Sequence, residues 1–242
     1  MNKLYILILS TLVLASCGPK VSKNCQLEKI LSENGKEIVF SYTDGRLSGM
    51  TIKIKGREQE VTYSYTEDGK ISELSTDRGS IKYIYNDKGV LTKTESKILH
   101  SSSFDYNSTG QITGQKMGAK YFEYAYKDGN PNKVLIKDSN GDLLEQVDIT
   151  YDKNPNAMSD IGPMGNFHEL MYGYPVGNAK NNIVSVTTTY KKDTKWKING
   201  ELKKAGNVVK AEYVHEYDSH GNVVSTKNKG TEQAATYYYN CD

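Results

Sequence analysis

Residues 63–71 read Tyr63-Ser64-Tyr65-Thr66-Glu67-Asp68-Gly69-Lys70-Ile71, and this pattern recurs along most of the chain. Its first half alternates aromatic and polar side chains, which is the period of a β-strand with one buried face. The Asp68-Gly69 pair then supplies a turn, because glycine adopts the positive φ that other residues resist. Ile71 resumes the apolar pattern. The stretch therefore predicts a β-hairpin.

Equivalent hairpins follow one another at a regular spacing. The second tyrosine of each unit falls at positions 42, 65, 85, 106 and 126, and a late unit contains Tyr217. The period is about 21 residues, and the further Gly-containing turns within each unit predict roughly fourteen to seventeen strands. A sheet of that size must curl or close.

The two faces of these strands differ in polarity. In the segment Val61–Tyr65, one valine and two tyrosines share a face opposite Thr and Ser, and the segment 209–217 repeats the contrast. A membrane-spanning barrel needs an outward apolar band, which such a polar face does not supply. We expect an all-β fold, a long antiparallel β-meander that is strongly curled or closed into a soluble barrel with the tyrosines inside.

The first sixteen residues have the features of an export signal. After Lys3, the run from Leu4 to Leu14 is apolar and too short to span a bilayer as a mature helix. It ends in Leu14-Ala15-Ser16-Cys17, which resembles the lipobox of bacterial lipoprotein precursors. The resemblance implies cleavage before Cys17 and a lipid anchor on its thiol. The alternative is an ordinary secretory signal with a chance cysteine.

The residues after Cys17 bear on location and partners. An Asp at position 18 would retain such a lipoprotein in the inner membrane, whereas Gly18 stands there, so the resemblance implies the outer membrane. Without an acidic cluster at 19–23 we expect the protein to face the periplasm. The whole chain has 31 basic and 29 acidic residues, and removal of the signal takes away one basic residue, Lys3. The mature chain therefore has a net charge near zero, which argues against nucleic acid as a partner.

These features divide the chain into segments. We assign 1–16 to the signal peptide, 17–36 to the lipid anchor and tether, and 37–242 to a single β-repeat domain. Prolines and apolar residues interrupt the repeat at 152–182. This insertion is interpreted as a cap on an open end of the sheet, with a binding role as the alternative.

Two cysteines besides the anchor, Cys25 and Cys241, lie near the two ends of the mature chain. Export places them in an oxidising compartment where pairing is permitted. A disulfide would join the termini if the sheet closes. Two separate thiols are the alternative, because cysteines whose Cα atoms lie more than about 7 Å apart cannot be bridged.

Tyrosine is unusually abundant, with nineteen tyrosines against four phenylalanines. Its ring packs while its hydroxyl seeks a polar partner, so rows of rings could stack on a sugar or another amphipathic ligand. Cross-strand packing in the core is the alternative, and Trp196 could be a rim anchor or an end cap. The candidate ligand platform comprises Tyr63, Tyr65, Tyr83, Tyr85, Tyr124, Tyr126 and Trp196.

Two segments resemble metal-binding motifs, but each lacks a required ligand. His168-Glu169-Leu170-Met171-Tyr172 begins like a zinc-protease helix, but Tyr172 occupies the second ligand position. Asp138–Asp142 resembles a calcium loop, yet Ile149 stands where the twelfth-position Glu would bind, so an Asn-Gly hairpin turn is the better interpretation. We predict no catalytic residue, no metal and no cofactor, and therefore no enzyme.

Two family resemblances rest on the repeats. The Tyr-x-Tyr-x-x-x-Gly-x-Ile units resemble the YD repeats of RHS-type proteins, whose strands coil into large shells. The chain also resembles a family of small lipoproteins of Gram-negative gut anaerobes with a porin-like fold, through its lipobox, its hairpins, Tyr151–Pro155 and Lys180-Asn181-Asn182. Asn156 departs from the aromatic expected after the proline. This resemblance implies a porin-like barrel and brings no known chemistry.

We therefore expect a cell-envelope lipoprotein with a non-enzymatic binding or scaffolding role. Its partners would be membrane lipid through acylated Cys17, and a glycan or another envelope protein. The alternative is a carboxylate-dependent hydrolase acting on an envelope or dietary polymer, since the sequence does not reveal which acids face each other at about 5 to 9 Å.

Overall fold

The computed structural model of the chain describes residues 25–97, 100–156, 179–194, 197–198, 201–231 and 234–241. In these residues it is built from β-strands joined by short turns. The strands are β1 (Cys25–Ser32), β2 (Glu37–Thr43), β3 (Arg46–Ile54), β4 (Arg57–Tyr65), β5 (Ile71–Thr76), β6 (Gly79–Tyr85), β7 (Leu91–Ser96), β8 (Ser102–Tyr106), β9 (Ile112–Met117), β10 (Lys120–Lys127), β11 (Asn130–Lys137), β12 (Leu143–Pro155), β13 (Asn181–Tyr190), β14 (Lys197–Ile198), β15 (Glu201–Leu202), β16 (Val208–Tyr217), β17 (Val223–Asn228) and β18 (Ala234–Cys241).

Several hairpin turns share one set of hydrogen bonds, in which a side-chain oxygen accepts from two backbone N–H groups of the turn. Asn86, which follows the second tyrosine of its repeat, accepts hydrogen bonds at Oδ1 from the backbone N–H groups of Lys88 and Val90, both at 3.0 Å. Gly89 completes the turn at φ +71°. Because these contacts are local, each repeat specifies its own turn. The same side-chain contacts occur at Asn107, Asp138 and Asp218.

Sixteen strands form one closed antiparallel barrel, and β14 and β15 form a separate two-stranded hairpin. Closure occurs where β1 pairs with β18, with Cys25 opposite Cys241 in the register. The barrel therefore has no unpaired edge along this seam. The predicted all-β class is confirmed, and the sheet is closed.

The antiparallel order places successive connections at alternate ends of the barrel. We call the end that holds Cys25 and Cys241 the proximal end, and the opposite end the distal end. The hairpins after β2, β4, β6, β8, β10 and β16 lie at the proximal end, together with the end of β12 and the start of β13. The β14–β15 hairpin lies between β13 and β16 at the distal end.

Inward-facing side chains fill the barrel in two hydrophobic clusters. One spans β1 to β6 with β17 and β18 and includes Ile30 and Ile38, each 1% exposed. The other spans β10 to β13 and includes Val147, which is 0% exposed. Buried Ser102 and Gln115 hydrogen-bond to each other on β8 and β9, between the clusters, at 3.2 Å. Wide barrels often enclose an aqueous channel, whereas the side chains of these two clusters pack against one another.

The outer wall is polar where the alternation predicts it. In β4 the exposed residues Glu58, Glu60, Thr62 and Ser64 alternate with inward-facing side chains.

In the described part of the chain, no helix has both the length and the apolar character needed to cross a membrane.

The domain boundaries differ from those expected. Strand β1 belongs to the barrel, so residues 25–36 are not tether and the domain begins at or before Cys25. This strand lacks the paired tyrosines of the repeat, which is why the pattern did not reveal it. Strands β12 and β13 also reach further into the interruption than 152–182 implied. Residues 1–24, which include Cys17, and residues 157–178 lie outside the described residues.

Candidate functional site

The first tyrosine of each repeat lies inside the barrel. Tyr63, Tyr83 and Tyr124 are each 7% exposed. Tyr63 and Tyr83 pack in the first hydrophobic cluster and Tyr124 in the second. Burial raises the pKa of Tyr83 to about 12, and the neighbouring Tyr85 adds to the shift. These three rings therefore belong to the core.

The second tyrosine of each repeat is half-buried and makes a different contact. The Tyr65 hydroxyl donates to the backbone carbonyl of Leu47 at 2.5 Å, and that of Tyr85 donates to Ile71 at 2.8 Å. Each bond joins the end of one strand to the start of the preceding strand. We call this series the hydroxyl ladder; it also contains Tyr42, Tyr106 and Tyr151, which donate to Leu27, Leu91 and Pro131 at 2.9, 2.6 and 2.7 Å.

The ladder bears on the ligand platform predicted from the sequence. A tyrosine hydroxyl has a single proton, so one that donates to a backbone carbonyl cannot also donate to a ligand. The rings of Tyr65 and Tyr85 pack against the first cluster. Tyr126 packs against the second cluster, and burial raises its pKa to about 12. This placement favours cross-strand packing over ligand stacking. Trp196 lies outside the described residues.

Asparagines gather at the proximal end where β12 stops and β13 starts. Asn130, the first residue of β11 and 3% exposed, accepts hydrogen bonds at Oδ1 from the N–H groups of Lys180 at 2.8 Å and Asn181 at 3.1 Å. Its Nδ2 donates to Asn181 Oδ1 at 2.8 Å. Asn130 thereby fixes the approach to β13.

Asp152 is the acceptor at the centre of this group. Its carboxylate accepts hydrogen bonds from the N–H groups of Asn154 at 3.0 Å and Asn182 at 3.2 Å, and from the Tyr217 hydroxyl. Asn182 Nδ2 also donates to the carbonyl of Pro155 at 2.9 Å. Burial raises the pKa of Tyr217 to about 12, and the hydrogen bond to Asp152 adds to the shift.

Asn156 completes the group by joining the two sides of the insertion. Its N–H donates to the Lys180 carbonyl at 2.8 Å, and its Nδ2 donates to the Ala179 carbonyl at 3.2 Å. Residues 156 and 179 are therefore held together at the proximal rim. We call the whole group the asparagine clamp; it consists of Asn130, Asp152, Asn156, Asn181, Asn182 and Tyr217.

The sequence pointed to only part of the clamp. The family resemblance rests in part on Tyr151–Pro155 and Lys180-Asn181-Asn182, whereas Asn130 lies outside both segments. The available signal was Pro131, the second residue after Gly129, because the other repeats carry a branched apolar residue at that position.

Cys25 and Cys241 meet at the proximal end of the closing seam. Their Sγ atoms are 2.02 Å apart and their Cα atoms 4.0 Å apart, across 216 residues of sequence. The Cα separation is below the limit of about 7 Å beyond which two cysteines cannot be bridged. The bond ties the first strand to the last.

Candidate metal ligands are engaged in other contacts. His215 binds the Thr226 hydroxyl and the Ile183 carbonyl through its two ring nitrogens, both at 2.8 Å. Asp138 and Asp142 pair with Lys192 Nζ at 3.4 and 2.6 Å. Within the described ranges, no group of three or more His, Cys, Asp or Glu side chains could hold a metal ion. The motif at 168–172 lies outside those ranges.

The hydrolase alternative requires a pair of carboxyl groups. Burial raises the pKa of Glu145, as a catalytic acid needs, while the Lys120 charge opposes the shift. Its cross-strand partners in the register are Ile136 on β11 and Tyr190 on β13. Neither of these directly opposed residues carries a carboxylate.

Comparisons with known proteins agree with this architecture. A family model described as Teneurin YD-shell matches residues 21–242. The chain is similar to a porin-like protein from Bacteroides uniformis ATCC 8492, with a TM-score of 0.52 and 15% identity over 92% of this chain and 98% of that one. At this identity the likeness shows the fold alone.

Two further solved structures are similar at lower TM-scores. A porin-like protein from Bacteroides vulgatus ATCC 8482 gives 0.26, with 10% identity over 88% of this chain and 83% of that one. TcdB2-TccC3 without its hypervariable C-terminal region gives 0.33, with 14% identity over 86% of this chain and 13% of that one. No curated protein matches the sequence.

Proposed function

This chain belongs to the Teneurin YD-shell family, and we propose that it is a cell-envelope lipoprotein with a non-enzymatic scaffolding or binding role. The hydroxyl ladder is the observation that carries the proposal. Inward-facing polar groups such as those of Tyr65 and Tyr85 hold strands together, and the packed core leaves the outer wall and the two ends for contacts. A shell of this kind presents a surface to its partner.

The anchor follows from the lipobox at Leu14–Cys17. A diacylglyceryl group on Cys17 and a third acyl chain on the new amino terminus exceed the two signals that stable membrane attachment requires. Gly18 supports the outer membrane as the destination, and the residues after it support the periplasmic side.

The partner is a glycan or another envelope protein. A closed barrel with a packed interior is preorganised, so little conformational entropy is lost when its surface binds. Its outer wall carries both acidic and basic side chains, as in the ion pairs Lys53–Glu58 and Lys210–Glu212. Such a surface suits hydrogen-bonding partners.

Lipid labelling of the full-length chain tests the anchor. Cys17→Ser should abolish incorporation of radioactive palmitate and partition into detergent, because the acylated thiol is lost. Ser16→Ala, which keeps a small residue at the cleavage site, should leave both signals intact. Labelling that persists in Cys17→Ser overturns the anchor.

Binding and turnover assays test the role. The purified protein should retain specific envelope glycans or proteins without altering them. Cleavage of any envelope polymer by the protein, at a rate that scales with protein concentration, would replace the scaffold proposal with the hydrolase.

A further inference from the structure

We infer that the proximal end of the barrel rests against the phospholipid headgroups of the anchoring membrane, while the distal end is held away from it. The inference rests on the lipid anchor proposed above. It concerns the orientation of the barrel, which the anchor alone does not fix.

The tether between the lipid anchor and the barrel is short. Seven residues, 18–24, separate the acylated cysteine from the first residue of β1, so eight Cα-to-Cα links join Cys17 to Cys25. Fully extended they reach at most about 28 Å. A random coil of eight links has an average end-to-end distance of about 16 Å.

The tether leaves the barrel at a fixed point on the proximal rim. Strand β1 begins at Cys25 on the proximal rim and pairs with β18 from Cys25 to Ser32. The sulfur bridge to Cys241, with Cα atoms 4.0 Å apart, holds this point in place. The tether therefore cannot lengthen through peeling of β1 from the seam.

The barrel is taller than the average span of a coil of the tether's length. A ten-residue strand such as β13 is about 33 Å long, and with the usual tilt it gives the barrel a height of about 25 Å. The average span of the tether is shorter than this height. The distal end could reach the membrane only with the tether stretched along the barrel wall, an arrangement of low entropy.

The chemistry of the proximal turns suits headgroups. Asp44, Arg46, Asp68 and Lys88 are exposed there and carry charges of both signs. Such side chains pair with the phosphate and amine groups of phospholipids and are too costly to bury in hydrocarbon. The contact is therefore at the headgroup level, and the β14–β15 hairpin at the distal end points toward the periplasm.

The two ends of β9 provide a matched pair of probe positions. Ser108 lies in the proximal turn before this strand and Ala119 in the distal turn after it, and both are exposed. Ser108→Cys and Ala119→Cys can each be labelled with a fluorophore, because lipid occupies Cys17 and the sulfur bridge occupies Cys25 and Cys241. The lipidated full-length variants are then reconstituted in phosphatidylcholine vesicles that contain a headgroup-attached quencher.

Quenching at position 108 should be several-fold stronger than at 119. Equal quenching, or stronger quenching at 119, in protein that floats with the vesicles overturns the orientation and leaves the anchor intact. Protein that fails to float overturns the anchor and the orientation with it. A long flexible insert after Lys20 should reduce the difference, and an unchanged difference would exclude the short tether as its cause.

Discussion

At the scale of single residues, tyrosine has two structural roles in this barrel, because its ring packs in apolar surroundings and its hydroxyl requires a hydrogen-bond partner. The ring of Tyr63 or Tyr83 fills the core, a task that phenylalanine could perform. The hydroxyls of Tyr65 and Tyr85 satisfy backbone carbonyls at the ends of strands, which phenylalanine could not do. Tyr239 is the exception, since its hydroxyl is the one buried side-chain polar atom without a hydrogen-bond partner in the described residues.

The ladder predicts a measurable cost for losing one hydroxyl. Tyr85→Phe removes the donor to the Ile71 carbonyl at 2.8 Å and keeps the ring. We expect the free energy of unfolding to fall by about 1 kcal/mol, the usual net value of such a bond. Denaturant unfolding with and without the substitution measures it.

Tyr238→Phe is the matched control, because Tyr238 is 41% exposed on the outer wall. This substitution should change the unfolding free energy by much less. Equal losses in the two variants would mean that the ladder hydroxyls contribute no more than exposed ones.

At the scale of elements, the hairpins were predictable and the clamp was not. Each hairpin depends on residues a few positions apart, such as Asn86 and Val90, so a sequence pattern can encode it. Asn130 and Asn181 are 51 residues apart, and their contact exists only once β11 and β13 have both joined the barrel. Strand β1 likewise has no repeat signature and takes its place by pairing with β18 and β2.

Hydrogen exchange tests whether the clamp positions the start of β13. Asn130→Ala removes the acceptor for the N–H groups of Lys180 and Asn181. Loss of a buried partner costs about 1 to 3 kcal/mol, so these two amides should exchange at least several-fold faster.

A turn elsewhere on the same rim supplies the control for the clamp. Asn107→Ala removes the acceptor for the N–H groups of Thr109 and Gln111 and should leave Lys180 and Asn181 unaffected. If the amides of Lys180 and Asn181 exchange at the same rate in Asn130→Ala as in the wild type, the clamp is not needed to position the start of β13.

At the scale of the whole molecule, closure depends on the core as well as on the cysteines. Tyr237 on β18 lies opposite Ile30 on β1, and both belong to the first hydrophobic cluster. The cluster thus continues across the seam. Long-range pairing of the first and last strands carries a large loop-closure entropy, and this shared core offsets part of it.

Reduction of the bond between Cys25 and Cys241 provides the test of closure. A cross-link over 216 residues restricts the unfolded chain and is worth about 5 kcal/mol in the loop-entropy model. The oxidised protein should therefore unfold at a clearly higher denaturant concentration than the reduced protein. Far-ultraviolet circular dichroism in the absence of denaturant should be the same for both, because the β1–β18 pairing and the core remain. In Cys25→Ser/Cys241→Ser the reductant should have no effect, and a midpoint in the wild type that is equally insensitive to reductant would show that the cysteines do not cross-link the barrel.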